Sequence, residues 1–166
     1  MFFLISTLIT VIFATIHVFL DRKADRRTKR RVVELFLIWW IAGSGFWSVF
    51  GGVGHIGPNA AEIAGEIGPA YIPSMFQWEV GWGDIAIGVI LLLCIWNRGS
   101  FMNAAVIAWT ISYWGDAIGH IMQVTRHNNM APDNVWSIPT DFGGPLAAII
   151  LLLIFRRLSR TSEEPS

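Results

Sequence analysis

The fold is decided where residues 79–97 read EVGWGDIAIGVILLLCIWN and, after a short turn, residues 101–122 read FMNAAVIAWTISYWGDAIGHIM. Each run is about 20 residues long, which is the length a helix needs to cross a hydrocarbon core of roughly 30 Å. Comparable apolar runs occupy residues 2–20, 33–54 and 138–156. We therefore predict an all-α protein, a polytopic transmembrane bundle of about five helices.

The composition agrees with a membrane protein. Apolar residues make up 54% of the 166 residues, charged residues only 14%, and the mean hydropathy is +0.52. Soluble domains are more highly charged and less apolar. The formal net charge is zero, so the sequence gives no reason to expect a nucleic-acid partner. A single cysteine, Cys94, excludes both a disulfide framework and a cysteine-based metal site.

The basic residues predict the orientation of the bundle. Seven Lys and Arg side chains lie in Arg22–Arg31, one is Arg98, and three follow the last run, whereas Arg126 is alone on the other side. Because cytoplasmic loops carry the excess of Lys and Arg, we expect the N-terminus outside and the C-terminus in the cytoplasm. The first run has no basic residue before it and no small-residue cleavage site, so it predicts an uncleaved anchor of a multi-pass protein in the inner (plasma) membrane.

The connections complete the predicted organisation. Residues 59–67 have amphipathic spacing and predict a short helix at the membrane interface. Residues 123–137 are polar and predict an ordered loop. We expect residues 1–158 to form one transmembrane domain and residues 159–166 to form a disordered cytoplasmic tail.

Ionisable residues within the runs are the default candidates for function, because they are costly in lipid. At about 1.5 Å per residue, Asp84 and Asp116 lie roughly 20 Å from the inner surface, and Glu79 and His120 lie roughly 27 Å from it. His55 ends the second run at the outer side, and Asp141 begins the fifth run there. The six groups are expected to converge on the outer half of the bundle.

Several roles remain open for this polar cluster. His55, Glu79, Asp116 and His120 would make a mixed ligand set for a divalent metal, and a haem is a second candidate cofactor. Asp116 and His120 lie four residues apart and share one helix face, while Asp84 and Asp141 are secondary candidates. The same groups could instead form a structural hydrogen-bond network, or a pathway for protons or a small solute. Gly115 and Gly119 form a small-xxx-small pattern that predicts close helix packing, and the glycines at 43, 45, 51, 52, 54, 81, 83 and 88 also permit close helix approach.

Short motifs carry a resemblance. Phe76-Gln77-Trp78-Glu79 opens the third run, Gly119-His120-Ile121 closes the fourth, and Asn128, Asn129 and Pro132 follow. These residues resemble an uncharacterised family of small bacterial and archaeal multi-pass membrane proteins. The resemblance covers roughly residues 45–155 and implies a helical bundle in which Glu79 and His120 matter, without implying an activity. A looser resemblance to small DoxX-type membrane proteins rests on hydropathy alone.

Three hypotheses for function follow. The first is a small integral membrane protein of unknown activity whose His/carboxylate cluster is an ion site or a structural network. The second is an accessory subunit of a larger membrane complex, such as a respiratory or photosynthetic one. The third is a membrane metalloenzyme or haem/redox protein. No catalytic motif decides whether the chain is an enzyme, and its expected partners are the lipid bilayer and either further copies of itself or a larger complex.

Overall fold

The computed structural model describes residues 2–71 and 75–161, and these residues form an all-α structure without strands. The helices are α1 (Phe2–Leu20), α2 (Lys29–Ile56), α3 (Ala60–Ile67), α4 (Met75–Leu93), α5 (Ser100–His127) and α6 (Pro132–Thr161). A single 3₁₀ turn, Pro69–Tyr71, follows α3. The prediction of an all-α fold is confirmed, and each predicted run overlaps a helix, although α4 covers Met75–Leu93 where the run was placed at 79–97.

Two predicted boundaries are wrong. The loop expected at 123–137 is only the segment 128–131, because α5 continues to His127 and α6 begins at Pro132. Asn128 ends α5 in the left-handed conformation (φ 51°), and Pro132 suits a first helical turn because it has no amide hydrogen to satisfy. The tail predicted to be disordered from residue 159 is helical to Thr161, and residues 162–166 lie outside the described residues.

Glycines bring α2 and α4 into contact along antiparallel axes. A Cβ atom on Gly45 would lie 2.7 Å from the carbonyl oxygen of Gly88, and one on Gly52 would lie 2.5 Å from that of Gly81. The order of these two pairs, seven residues apart on each helix, fixes the antiparallel direction. Close backbone approach at glycines is the usual way for membrane helices to pack tightly. The α2–α4 pair is therefore the tightest helix interface of the bundle.

A second hairpin, α5–α6, packs beside this pair. Trp109 of α5 is almost fully buried and lies 3.1 Å from the position of a Cβ on Gly144. The indole of Trp40 on α2 donates a hydrogen bond of 2.9 Å to the carbonyl oxygen of Gly144. The core around these contacts is apolar and includes Leu37, Ile41 and Val106. The bundle thus joins the two hairpins through α2 and α6.

An ion-pair network closes the end of the bundle where α1 joins α2. Arg31 donates to Asp21 at 2.7 Å and to Glu34 at 2.9 Å, and the first two side chains are buried. The Arg31 guanidinium holds the pKa of Asp21 below its ordinary value. Thr28 caps α2 by accepting a hydrogen bond from the Arg31 amide. The basic α1–α2 connection is consequently an ordered turn.

Three of the described helices are long and apolar enough to cross a membrane: α2, α4 and α6. The apolar stretch of α1, Ile5–Leu20, is shorter than the length used to identify a membrane-spanning helix. Helix α5 has 28 residues but carries Asp116, His120 and other polar side chains that lower its hydropathy. The chain is thus a membrane protein by its helices, and the five-span count stays a prediction.

Candidate functional site

His120 is the centre of a buried polar network where α5, α6 and the turn after α3 meet. Its Nδ1 lies 2.8 Å from Oδ1 of Asn134, a fully buried residue of α6. The Asn134 amide nitrogen donates to the carbonyl oxygens of Asn129 at 3.0 Å and His120 at 3.4 Å. With its NH₂ group committed to two carbonyls, Asn134 presents its oxygen to the imidazole. Nδ1 of His120 must therefore carry a hydrogen.

The other nitrogen of the ring faces a carboxylate. Nε2 of His120 lies 3.9 Å from Oδ2 of Asp141, and the two side chains are only 13% and 14% exposed. Because Nδ1 already holds a hydrogen, Nε2 is the nitrogen that can gain or lose a proton. A protonated His120 would form an ion pair with an ionised Asp141, whereas a neutral imidazole leaves a basic lone pair directed toward this carboxyl group.

Tyr71 covers the imidazole from the side of the 3₁₀ turn. The two rings are stacked with centroids 5.9 Å apart, and the phenol oxygen lies 3.4 Å from Nδ1. Burial, and secondly the negative charge of Asp116, raises the pKa of the Tyr71 hydroxyl above its ordinary value. Tyr71 is therefore a neutral hydroxyl beside the ring, and its shift places Asp116 near the same network.

Two further carboxylates lie in the same half of the bundle. Asp84 of α4 interacts electrostatically with Asp116, and Asp141 interacts with both of them. The hydroxyl of Tyr113 donates to Ser48 at 2.9 Å, and Ser48 donates to the backbone carbonyl of Asp84 at 2.8 Å. This relay of hydroxyls links α5 to α2 and α4. Asp84 of α4, Asp116 of α5 and Asp141 of α6 thus share one region with His120.

The structure divides the predicted four-ligand set. His55 lies in a separate group, where its Nδ1 is 3.4 Å from the amide nitrogen of Gln77, and that nitrogen also donates to Ala60 at 2.9 Å. Glu79 is exposed on α4, and Asp116 is exposed on α5. Across residues 2–71 and 75–161, no three His, Cys, Asp or Glu side chains are placed to hold a metal ion. Depth in the bilayer was a poor guide here because the residues point in different directions around their helices.

Gly115 and Gly119 do not pack against another described helix. A Cβ atom at either position would meet nothing within 4 Å. These glycines lie on the outward face of α5, which also carries Ile111 and Ile118, at 71% and 53% exposure. Close packing occurs instead at glycines of α2 and α4, which the sequence also predicted to permit close approach, and these glycines have a spacing of seven on each helix.

The network residues that were not predicted as candidate site residues are polar and uncharged. Asn134, Tyr71 and Ser48 hold the network together, but asparagine, tyrosine and serine are common outside functional sites. Asn134 was assigned to a loop, although it lies in the first turn of α6. A signal was present in Pro132-Asp133, which is a frequent helix start and would have placed Asn134 beside the end of α5.

An open cavity of about 380 Å³ adjoins the network at the α5–α6 turn. Its lining includes Pro69, Gln123, His127 and Asn129. Asn129 also donates to the carbonyl oxygen of Ile67 at 3.1 Å, so this residue ties α3 to the turn. Asn129 therefore belongs both to the lining of this cavity and to the network around His120, because its carbonyl oxygen accepts from Asn134.

Comparisons with known proteins identify the family of the chain and nothing more specific. Neither the curated proteins nor the solved structures contain a match. A family model matches nearly the whole chain, residues 1–161, which confirms the resemblance to an uncharacterised family. Both the family match and the helices agree with a small integral membrane protein of unknown activity. The chain belongs to the family of unknown function DUF6790.

Proposed function

We propose that this protein crosses the membrane five times, with its N-terminus outside, and binds a proton in the outer half of the bundle between His120 and Asp141. The observation that carries the proposal is the Asn134 amide, which fixes the hydrogen on Nδ1 of His120 and leaves Nε2 facing Asp141. The substrate is thus a proton and the site is a pair of side chains. A metal is not part of this proposal.

The alternation of the helices supports the topology. The α1–α2 connection with the first residues of α2, the α4–α5 turn and the end of α6 lie at one end of the bundle, and eleven of the twelve Lys and Arg residues belong to these three segments. The positive-inside rule assigns that end to the cytoplasm. The His120 network lies at the opposite end, so its proton would come from the outer side of the membrane.

The chemistry follows from counting protons. Without a bound proton, Nε2 is a lone pair and Asp141 is a carboxylate, so the pair carries one negative charge in a region that also contains Asp84 and Asp116. One added proton gives either an imidazolium–carboxylate pair or a neutral imidazole beside a carboxylic acid. Both forms remove the net charge from a poorly solvated site, which favours proton uptake there. Asp116, on the exposed face of α5, is the next group that can accept the proton.

Nitrogen NMR of isotope-labelled histidines in detergent micelles tests the tautomer and the partner together. Four histidines are present, and His→Gln variants assign them. We expect neutral His120 to hold its hydrogen on Nδ1, and we expect Asp141→Asn to change the Nε2 signal of His120, because the carboxylate that faces this nitrogen is gone. Asp133→Asn is the matched control, since Asp133 is an exposed carboxylate of the same helix. An Nε2–H tautomer, or equal responses to the two variants, would refute the proton site.

Labelling of introduced cysteines tests the topology separately. In a Cys94→Ala background, Met130→Cys places a thiol at an exposed position of the α5–α6 turn, and Arg160→Cys places one near the end of α6. A membrane-impermeant maleimide applied to intact cells should label the first and spare the second. The reverse pattern would contradict the orientation, and labelling of both would contradict the odd number of spans.

A further inference from the structure

The opposite end of the bundle contains a second cavity, of about 160 Å³, where α2, α5 and α6 approach one another. Arg98 and Arg156 lie on its lining, and the wall next to them is formed by apolar side chains that include Leu37, Leu152 and Phe155. Cationic groups beside an apolar wall are the arrangement expected for an amphipathic anion. The proton site uses none of these residues.

The charges of the cavity leave a net positive site. Glu34 also lines it, but its carboxylate is bonded to Arg31 at 2.9 Å. Within the described parts of the chain, Arg98 and Arg156 form no ion pair. One nitrogen of Arg98 donates to the carbonyl oxygen of Ile95 at 2.6 Å, and a guanidinium has further donors for a second partner.

Asn103 adds an acceptor to the same cavity. Its Oδ1 is buried and has no hydrogen-bond partner among the described residues, although Asn103 lines the cavity. A buried oxygen without a donor is energetically unfavourable, so it indicates a donor that the described residues do not supply. The matching ligand has an anionic group for the two arginines, a hydroxyl or ammonium hydrogen for Asn103, and an apolar part for the wall.

We propose that this cavity binds the phosphate headgroup of an anionic glycerophospholipid, with the phosphate between Arg98 and Arg156 and the headgroup hydroxyl on Asn103. An acyl chain would run along Leu152 and Phe155 toward the bilayer centre. In the proposed orientation the cavity opens at the inner leaflet, where the basic α1–α2 connection also lies. A free phosphate ion would leave the apolar wall without a partner, so a lipid is favoured over soluble phosphate.

Native mass spectrometry of the delipidated full chain tests the proposal. The protein in detergent is titrated with phosphatidylglycerol, with phosphatidylcholine of the same acyl chains, and with inorganic phosphate. We expect retained phosphatidylglycerol adducts, weaker ones with phosphatidylcholine, and no displacement of the lipid by phosphate. The double variant Arg98→Gln/Arg156→Gln should lower phosphatidylglycerol affinity by about tenfold or more, because each lost charge-assisted hydrogen bond contributes on the order of 1.5 kcal/mol or more.

The matched control is Arg157→Gln/Arg160→Gln, which removes the same charge from two α6 arginines that do not line the cavity. An equal loss of affinity in this control would mean nonspecific attraction and would overturn the site. Displacement by inorganic phosphate would overturn the lipid as its occupant. If the double variant fails to fold, the single variant Asn103→Leu tests the same lipid site. This change should reduce the preference for the hydroxyl-bearing headgroup, and an unchanged preference would again overturn the proposal.

Discussion

Substituting alanine for Gly81 should weaken the α2–α4 interface. The added Cβ would lie 2.8 Å from the carbonyl oxygen of Gly52, 3.0 Å from the Cβ of His55 and 2.5 Å from a methyl of Ile56. The Ile56 methyl can rotate away, but the Gly52 oxygen is backbone and moves only with its helix. Ordinary contact begins near 3.4 Å, so the helices must separate by about half an ångström. Overpacking of this kind costs about 1–3 kcal/mol.

Gly83→Ala is the matched control for this substitution. Gly83 lies on the same helix two residues away, and a Cβ there would meet nothing within 4 Å. Both variants gain the same helix propensity, roughly 0.5–1 kcal/mol, so the difference between them isolates the interface. We expect Gly81→Ala to unfold about tenfold or more readily than Gly83→Ala. Unfolding in mixed micelles with increasing sodium dodecyl sulfate, followed by tryptophan fluorescence, measures this difference. Equal stability of the two variants would refute the close-packed α2–α4 contact.

Three further changes test other parts of the structure. Asn134→Leu should lower the free energy of unfolding by about 1–3 kcal/mol, because it leaves the Nδ1–H of His120 without its acceptor, and histidine NMR should then show a mixture of tautomers. Asp21→Asn should destabilise the protein at neutral pH. Because the pKa of Asp21 is lowered in the folded protein, the wild-type advantage should be complete above the ordinary carboxyl range and vanish as the pH falls through the lowered pKa, as thermal melts across pH would show. Gly115→Ala should change stability by less than about 1 kcal/mol, since a Cβ there meets nothing, and a large loss in the same melts would contradict an open face.

The helices could be predicted from the sequence because each membrane-spanning run must by itself be long enough and apolar enough to cross the bilayer. Residues 2–20 needed no knowledge of their neighbours to be recognised, and α1 has these bounds. The bounds of the α5–α6 turn could not be predicted in this way. Its polar residues lower the hydropathy of 123–137 whether they are helical or not, so composition alone could not show that only 128–131 leaves the helices. Local stereochemistry, with Asn128 left-handed and Pro132 opening α6, decides that boundary.

Only part of the candidate site could be predicted from the sequence, and the reason is geometric. Counting residues gives the depth of a side chain along a helix, and depth grouped Glu79 with His120. Counting residues does not show which way a side chain points around its helix. Glu79 is exposed, whereas the side chain of His120 is only 13% exposed. Asp141 was a secondary candidate in the sequence, yet it is the carboxylate that faces His120. Direction depends on which faces of α5 and α6 meet, and counting residues along a helix does not give those faces.

The tight glycine interface and the polar network depend on each other. Ser48 lies between Gly45 and Gly52 on the face of α2 that contacts α4, and only a close approach of the two backbones lets its hydroxyl reach the carbonyl oxygen of Asp84 at 2.8 Å. Tyr113 then joins α5 to that same hydroxyl. A change that separates α2 from α4 by half an ångström should therefore loosen the position of Asp84 relative to the other two aspartates. It follows that Gly81→Ala should change the NMR signals of His120 as well as stability, although Gly81 is not among the described contacts of His120.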